Sequence, residues 1–155
     1  TSGSVSELRM KGFTETMAEI APNVKIIEYA TEFSREAGLK DMADILTANP
    51  QIDAVFSLDD ETSMGALQAI EDAGRTDIKV ITGGGGCQEY FNIIAGNEDI
   101  NVCSALYSPL MVKDAVDEAV ALLKGETVEA VKVIPTTIVD RSNVADYIDP
   151  ANTVY

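Results

Sequence analysis

Short apolar runs alternate with amphipathic helical patterns along most of the chain, and this alternation restricts the fold more than any other feature. The apolar runs that predict strands cover residues 24–31, 52–58, 78–82, 100–107 and 131–140. The patterns with helical periodicity predict helices over residues 4–20, 35–49, 60–73, 87–96 and 109–124. Strands and helices that alternate at this spacing form a doubly wound sheet, so we expect a mostly parallel α/β fold with flavodoxin-like strand order. Ligands of such sheets bind beyond the carboxyl ends of the strands.

Signals at the ends of the predicted helices refine this expectation. Ser4 and Glu7 have the spacing of a capping box at the start of the first helix. Ser108 and Pro109 predict the N-cap and the first position of the last helix. The tail after Ser142 shows no periodic pattern, so we expect it to be irregular.

The net charge and the residue types that are absent argue against several classes of function. The chain has 26 acidic and 11 basic residues, and its formal net charge of −15 repels nucleic-acid phosphates and anionic lipids. It has no histidine, and its two cysteines, Cys87 and Cys103, are too few for a disulfide framework or a zinc site. We therefore expect no nucleic-acid partner, no metal, no cofactor and no catalytic centre.

Four consecutive glycines, Gly83–Gly86, follow an apolar run and precede an amphipathic segment. The backbone N–H groups of such a loop can hold a phosphate, as in enzymes that act on phosphorylated substrates. However, the run matches neither GxGxxG nor the GxxxxGK motif of nucleotide-binding loops, and no lysine follows it. A tight turn that lets the backbone approach a bulky group is the favoured interpretation, with phosphate binding as the alternative.

Three further residues combine suitable chemistry with a position near the expected ligand crevice. Asp59 ends a predicted strand. Its carboxylate either stabilises the start of the next helix through the helix dipole or accepts hydrogen bonds from the hydroxyl groups of a ligand. Arg9 lies on the first predicted helix, where it either forms a surface ion pair or donates two parallel hydrogen bonds to vicinal hydroxyls or a carboxylate. Tyr107 ends another predicted strand, next to a change of direction.

Three stretches carry a family resemblance: RMKGF at 9–13, ADILTANPQIDAVFSLDDETSMGALQAIEDAG at 43–74, and SPLMVKDAVDEAVALLKGE at 108–126. Together they resemble the sugar-binding proteins of bacterial ABC importers, the ribose- and galactose-binding type of the periplasmic binding protein type I family. The resemblance implies a sugar or sugar-like ligand, a permease partner, no catalysis, and an extracytoplasmic location, either periplasmic or as a membrane-tethered lipoprotein.

The ligand-binding residues that the resemblance implies are Arg9, Asp59, Gly84, Gly85, Gln88 and Tyr107. Arg9 matches an arginine that binds sugar hydroxyls, and Asp59 stands where the ribose binders have asparagine. Tyr107 falls at a hinge position, where its ring can stack on the C–H face of a sugar. Gly84 stands where many members carry a sugar-binding aspartate, so we expect space for a larger or substituted ligand, with Gln88 or Tyr90 as the side chain that fills part of it.

The same resemblance divides the chain into three parts: a ligand-binding lobe incomplete at its N-terminus (1–106), a crossover helix that belongs to the other lobe (107–133), and a return strand with a tail (134–155). The two lobes of the family close on the ligand by a hinge, here near Leu106–Tyr107 and Ile134–Pro135. The crossover helix has an apolar face formed by Val112, Val116, Val120 and Leu123. We therefore expect either one piece of a longer chain, covered by a missing N-terminal lobe, or a dimer that exchanges elements with a second copy.

The effector-binding domain of lactose-repressor-type regulators shares this fold and is the alternative from another class of function. The stretch GRTDIKVITGGGG at 74–86 lacks the proline and the aromatic-aspartate pair that are usual in those regulators. A phosphate-binding α/β enzyme domain, which would use the glycine run, is the second alternative.

Overall fold

The computed structural model describes residues 3–107 and 111–152, and within these it contains five α-helices and four β-strands. The helices are α1 (Ser4–Ile20), α2 (Arg35–Ala48), α3 (Asp60–Asp72), α4 (Gln88–Gly96) and α5 (Met111–Leu123). The strands are β1 (Ala54–Val55), β2 (Val80–Gly85), β3 (Asn101–Leu106) and β4 (Thr137–Val139). A short 3₁₀ helix covers Val144–Asp146. Across the described residues, no helix has the length and apolar character needed to cross a membrane.

The four strands form one sheet in the order β1-β2-β3-β4. β1, β2 and β3 are parallel, and their register runs from Val80 opposite Asn101 to Gly85 opposite Leu106 between β2 and β3. β4 is antiparallel to β3 and forms an edge of the sheet. The predicted α/β class with a mostly parallel sheet is therefore confirmed. The three parallel strands lie side by side in chain order, as the last three strands of the flavodoxin-like order do.

The described residues form two compact units, and each has its own buried residues. The first unit comprises residues 3–50 and 61–75, and the second comprises residues 51–60 and 76–107 together with 111–152. The three-part division that the resemblance implies, with boundaries at 106 and 133, stays a prediction.

In the first unit, α2 and α3 pack closely because two glycines bring their backbones together. A Cβ atom built on Gly38 would overlap the carbonyl oxygen of Thr62, and one built on Gly65 would overlap that of Arg35. The buried apolar side chains of this unit are Met42, Leu46, Met64, Ala66, Ala69 and Ile70.

Two expectations about the first unit are wrong. The capping box does not form, since the N-cap of α1 is Gly3 and Ser4 is already the first helical residue. The strand predicted over 24–31 is also absent, because these residues have no regular secondary structure and Val24, Ile27 and Tyr29 are exposed. An apolar pattern predicts which side chains a strand can bury, but a strand also needs a neighbouring strand for its hydrogen bonds.

The second unit contains the sheet, α4, α5 and the 3₁₀ helix. Its largest fully buried apolar side chains are Ile78, Ile81, Tyr90, Ile94 and Val139. No residue of α5 is buried, and its predicted apolar face is exposed at Val112, Val116, Val120 and Leu123. The start of this helix predicted at Ser108 and Pro109 lies outside the described residues.

The C-terminal segment is more ordered than we expected. Only Thr137–Val139 of the extended segment predicted over 131–140 pairs with the sheet. After it, the tail predicted to be irregular forms a 3₁₀ helix at Val144–Asp146, and Val144 is 4% exposed. Burial of the Val144 side chain stabilises this turn. The sequence did not predict it, because the apolar residues around Val144 follow no helical or strand period.

Candidate functional site

The carboxyl end of β1 is held to β2 by a side chain rather than by the backbone ladder. The hydroxyl of Thr82 accepts a hydrogen bond from the Ser57 N–H at 3.0 Å and donates one to the Ser57 carbonyl at 2.9 Å. The Ser57 hydroxyl in turn donates to the carbonyl of Asp59 at 3.1 Å. These bonds fix the backbone that carries Asp59, whose side chain is half-buried at the carboxyl end of the sheet.

The glycine run belongs largely to the sheet. Gly83, Gly84 and Gly85 are the last residues of β2 and pair with Ser104–Leu106 of β3, so the strand extends beyond its predicted end at 82. The chain leaves the sheet at Gly85 and Gly86, whose φ angles of +136° and +102° disfavour any residue with a side chain. The favoured turn interpretation therefore describes the final two glycines, while the first two are strand residues that β3 holds in register.

The side-chain positions of these glycines are occupied by groups of the protein itself. A Cβ atom on Gly83 would lie 2.5 Å from Asp60 Oδ1 and 2.6 Å from Tyr90 Cε1. A Cβ atom on Gly84 would lie 2.8 Å from the carbonyl oxygen of Leu58. The bulky groups that the glycine backbone approaches include a buried carboxylate and a buried aromatic ring.

Asp60 is the acidic residue that joins the three strand ends. Its carboxylate is buried, with Asp60 only 4% exposed, and accepts three hydrogen bonds. Oδ2 accepts from the N–H groups of Gly86 at 2.7 Å and Cys87 at 3.0 Å, and Oδ1 accepts from the Ser104 hydroxyl at 2.7 Å. One carboxylate thus connects the end of β1, the turn after β2, and β3.

Sequence reasoning singled out Asp59 and missed Asp60 and Ser104. A signal for the carboxylate was nevertheless present. A buried turn made only of glycines offers backbone N–H donors but no side-chain acceptor, and buried donors are satisfied in nearly all native structures. An acidic residue at the end of the neighbouring strand is the nearest source of that acceptor.

Tyr107 lies directly after β3 and beside the bare backbone of the glycines. Its N–H donates to the Gly85 carbonyl at 3.2 Å. A Cβ atom on Gly84 would lie 3.5 Å from its ring, and one on Gly85 would lie 3.8 Å from its hydroxyl. The expected space at Gly84 is therefore bounded by this ring, which is 38% exposed. Whether the site accepts a larger ligand stays a prediction.

Gln88, the first residue of α4, holds the C-terminal segment. Its side-chain NH₂ donates to the Tyr147 carbonyl at 3.0 Å, and its side-chain oxygen accepts from the Asp149 N–H at 2.8 Å. The ring of Tyr147 also packs on Phe91 of the same helix, with ring centroids 5.9 Å apart. Both ends of the Gln88 amide have a structural task, and its proposed contact with ligand stays a prediction.

The structure assembles five of the six expected ligand-binding residues in one unit, namely Asp59, Gly84, Gly85, Gln88 and Tyr107. Arg9 lies half-buried on α1 in the first unit. The convergence of Arg9 with Asp59 and Tyr107 on one crevice stays a prediction.

The remaining chemistry near the sheet is limited. Cys87 and Cys103 do not form a disulfide with each other. Burial raises the pKa of the Cys103 thiol, and the negative charge of Asp140 raises it further. Within residues 3–107 and 111–152, no group of three or more His, Cys, Asp or Glu side chains is arranged to hold a metal ion.

Comparison with known families agrees with this geometry. The model of the family described as "Periplasmic binding protein domain" matches residues 2–127 of the chain. The chain belongs to this family. Membership in the periplasmic binding protein family confirms the resemblance drawn from the sequence. The candidate site lies at the carboxyl ends of the parallel strands, where open α/β sheets bind their ligands.

Several relatives and a solved structure extend this comparison. The ribose import binding protein of Escherichia coli K12 is 32% identical over 127 residues, which are 82% of this chain and 42% of that protein. The xylitol-binding protein of Mycolicibacterium smegmatis is 30% identical over 148 residues, which are 93% of this chain and 41% of that protein. The crystal structure of an ABC transporter solute binding protein from Mycobacterium smegmatis with bound glycerol has a TM-score of 0.84 at 28% identity. That match covers 98% of this chain and 52% of that one, so the chain spans about half the length of its relatives or less.

Proposed function

We propose that this chain is part of the extracytoplasmic solute-binding component of an ABC importer and binds a sugar or polyol between two lobes that close by a hinge. The observation that carries the proposal is the combination at the carboxyl end of the sheet: a half-buried carboxylate at Asp59 and a partly exposed ring at Tyr107. The names of the relatives, which bind ribose or xylitol, support a ligand rich in hydroxyl groups.

Each of these groups suits a different part of such a ligand. The Asp59 carboxylate accepts hydrogen bonds from hydroxyl groups. It distinguishes hydroxyls from carboxylates, because an ionised carboxylate has no hydrogen to donate. The Tyr107 ring offers an apolar face to the C–H groups of a sugar or polyol. The Arg9 guanidinium supplies the donors that the carboxylate lacks, in a fork that matches two neighbouring hydroxyl oxygens.

The role proposed for the protein is binding, without a chemical step on the ligand. The relatives are named as binding proteins, which supports this view. The permease of the importer is the proposed partner of the complete, closed protein. A second lobe is required for this role, and its residues supply the rest of the binding site.

Titration calorimetry on the complete protein with D-ribose, xylitol and glycerol tests the proposal. We expect binding of at least one of these compounds. Replacement of Arg9 with alanine should weaken that binding about 10- to 150-fold, because loss of a charged hydrogen-bond donor costs about 1.5–3 kcal/mol.

Lys11 provides the matched control on the same helix. Its side chain is 67% exposed and lies 3.8 Å from Glu15, so Lys11→Ala removes a positive charge from α1 while affecting only this exposed pair. We expect Lys11→Ala to bind like the wild-type protein. Equal affinities for Arg9→Ala and the wild type would show that Arg9 does not contact the ligand. A wild-type protein that binds no sugar or polyol would contradict the proposed function.

A further inference from the structure

The turn between β2 and α4 has the backbone geometry of an anion site. Gly86 and Cys87 directly precede α4, a helix of nine residues, and their N–H groups point to one acceptor. Paired amides at the start of a helix hold phosphate or carboxylate groups in many proteins, since the helix dipole adds to the hydrogen bonds. A glycine-rich turn of this kind would therefore be expected to favour a phosphorylated ligand.

In this protein the anion position is filled from within. Asp60 Oδ2 accepts from both amides, at 2.7 Å and 3.0 Å, and the Ser104 hydroxyl holds Oδ1 at 2.7 Å. Asp60 is 4% exposed, so this carboxylate is a fixed part of the interior. The chain has no lysine or arginine from residue 80 to residue 112, so these strand ends and turns contribute no cation.

We infer that Asp60 is a specificity-determining residue that excludes phosphorylated and other anionic sugars, and so restricts the site to neutral sugars and polyols. The inference rests on the proposed function, because it concerns which ligand of that site is accepted. Two effects act together. The amides that would bind an anion are already occupied, and the carboxylate repels a second negative charge at short range. Asp59 adds another negative charge at these strand ends.

Asp60→Asn removes the negative charge of residue 60 and keeps a side chain of nearly the same size and shape. The amide oxygen of asparagine can accept from Gly86 and Cys87, while its NH₂ donates to Ser104, whose hydroxyl accepts as well as donates. The variant therefore keeps a hydrogen bond to each of the three groups, with the direction of the bond to Ser104 reversed, and it loses the negative charge. Glu61→Gln is the matched control, since it removes one charge from the next residue, which is exposed and paired with Arg35 at 3.2 Å.

The experiment measures the dissociation constants of the complete protein for D-ribose and D-ribose 5-phosphate by calorimetry. The ratio of the two constants does not depend on the folded fraction, so loss of stability alone cannot change it. We expect the wild type to bind the neutral sugar more tightly, and Asp60→Asn to reduce that ratio by about 10-fold or more. We expect Glu61→Gln to leave the ratio unchanged. The bulk of the phosphate is the same for each variant, so a change in the ratio reports charge.

Two outcomes overturn the inference: an unchanged ratio in Asp60→Asn, or equal affinities of the wild type for the two compounds. If Asp60→Asn does not fold, equal affinities of the wild type for the two compounds still overturn the inference. Amide hydrogen exchange of the ligand-free wild type supplies an independent readout, since Gly86 and Cys87 should be protected and free exchange of both also overturns the inference. A wild type that binds no sugar at all contradicts the proposed function instead, and the exchange result then still shows whether the Gly86 and Cys87 amides are hydrogen-bonded.

Discussion

Replacement of Gly83 with alanine tests whether the glycine run is required for internal packing. The added methyl group would lie 2.5 Å from Asp60 Oδ1 and 2.6 Å from Tyr90 Cε1, both in the interior. Ordinary contacts between such atoms are about 3.5–4 Å, so both groups, or the backbone of Gly83, must move by about 1 Å. Asp60 is 4% exposed and Tyr90 is fully buried, and neither side chain can turn into solvent.

The cost of this movement has two parts. Overpacking of a filled interior typically costs about 1–3 kcal/mol. Displacement of the Asp60 carboxylate also weakens its bond with Ser104, and hydrogen bonds to charged groups contribute about 1.5–3 kcal/mol each. The lower conformational entropy of the unfolded alanine chain offsets about 0.4–1 kcal/mol. We therefore expect the free energy of unfolding to fall by about 2–4 kcal/mol.

Urea-induced unfolding of the complete protein, followed by far-UV circular dichroism, measures this change. Gly12→Ala is the control, because Gly12 lies within α1 and a Cβ atom there would meet nothing within 4 Å. The same chemical change should stabilise that helix by about 0.5–1 kcal/mol. The packing argument is refuted if Gly83→Ala unfolds at the same urea concentration as the wild type.

Two further predictions concern the second unit. Gln88→Ala should release the C-terminal segment, so that the Asp149 amide loses its protection from hydrogen exchange. Asn92→Ala on the same helix should not have this effect. Retained protection of Asp149 in Gln88→Ala would show that Gln88 does not hold the segment. Because burial and then Asp140 raise the pKa of the Cys103 thiol, its thiolate forms at higher pH than that of an exposed cysteine. In a Cys87→Ser background, alkylation of Cys103 should therefore begin at higher pH than for a cysteine peptide, and Asp140→Asn should shift the profile to lower pH; an unshifted profile would contradict this role of Asp140.

The features that the sequence predicted well are those determined by near neighbours along the chain. α2 was predicted over 35–49 and covers Arg35–Ala48, because its apolar periodicity and its stop at Pro50 are local signals. The parallel arrangement of the sheet was also predicted, because a helix between two strands provides the crossover connection that parallel neighbours need.

The features that the sequence did not predict depend on partners far along the chain. The apolar run at 24–31 has strand composition, but its pairing depends on another segment, and no strand forms there. β2 extends to Gly85 despite its glycines because β3 supplies the hydrogen bonds. Asp59 and Asp60 are adjacent acids, and the turn 26 residues later supplies N–H donors to the buried carboxylate of Asp60.

The crowded side-chain positions of Gly83–Gly86 also limit how this protein can evolve. Single substitutions in the run meet either occupied space, as at Gly83 and Gly84, or an unfavourable backbone, as at Gly85 and Gly86. Point mutations in this stretch would therefore reduce the stability of the fold. Asp59 and Tyr107, which are only partly buried, can change at a smaller cost in stability.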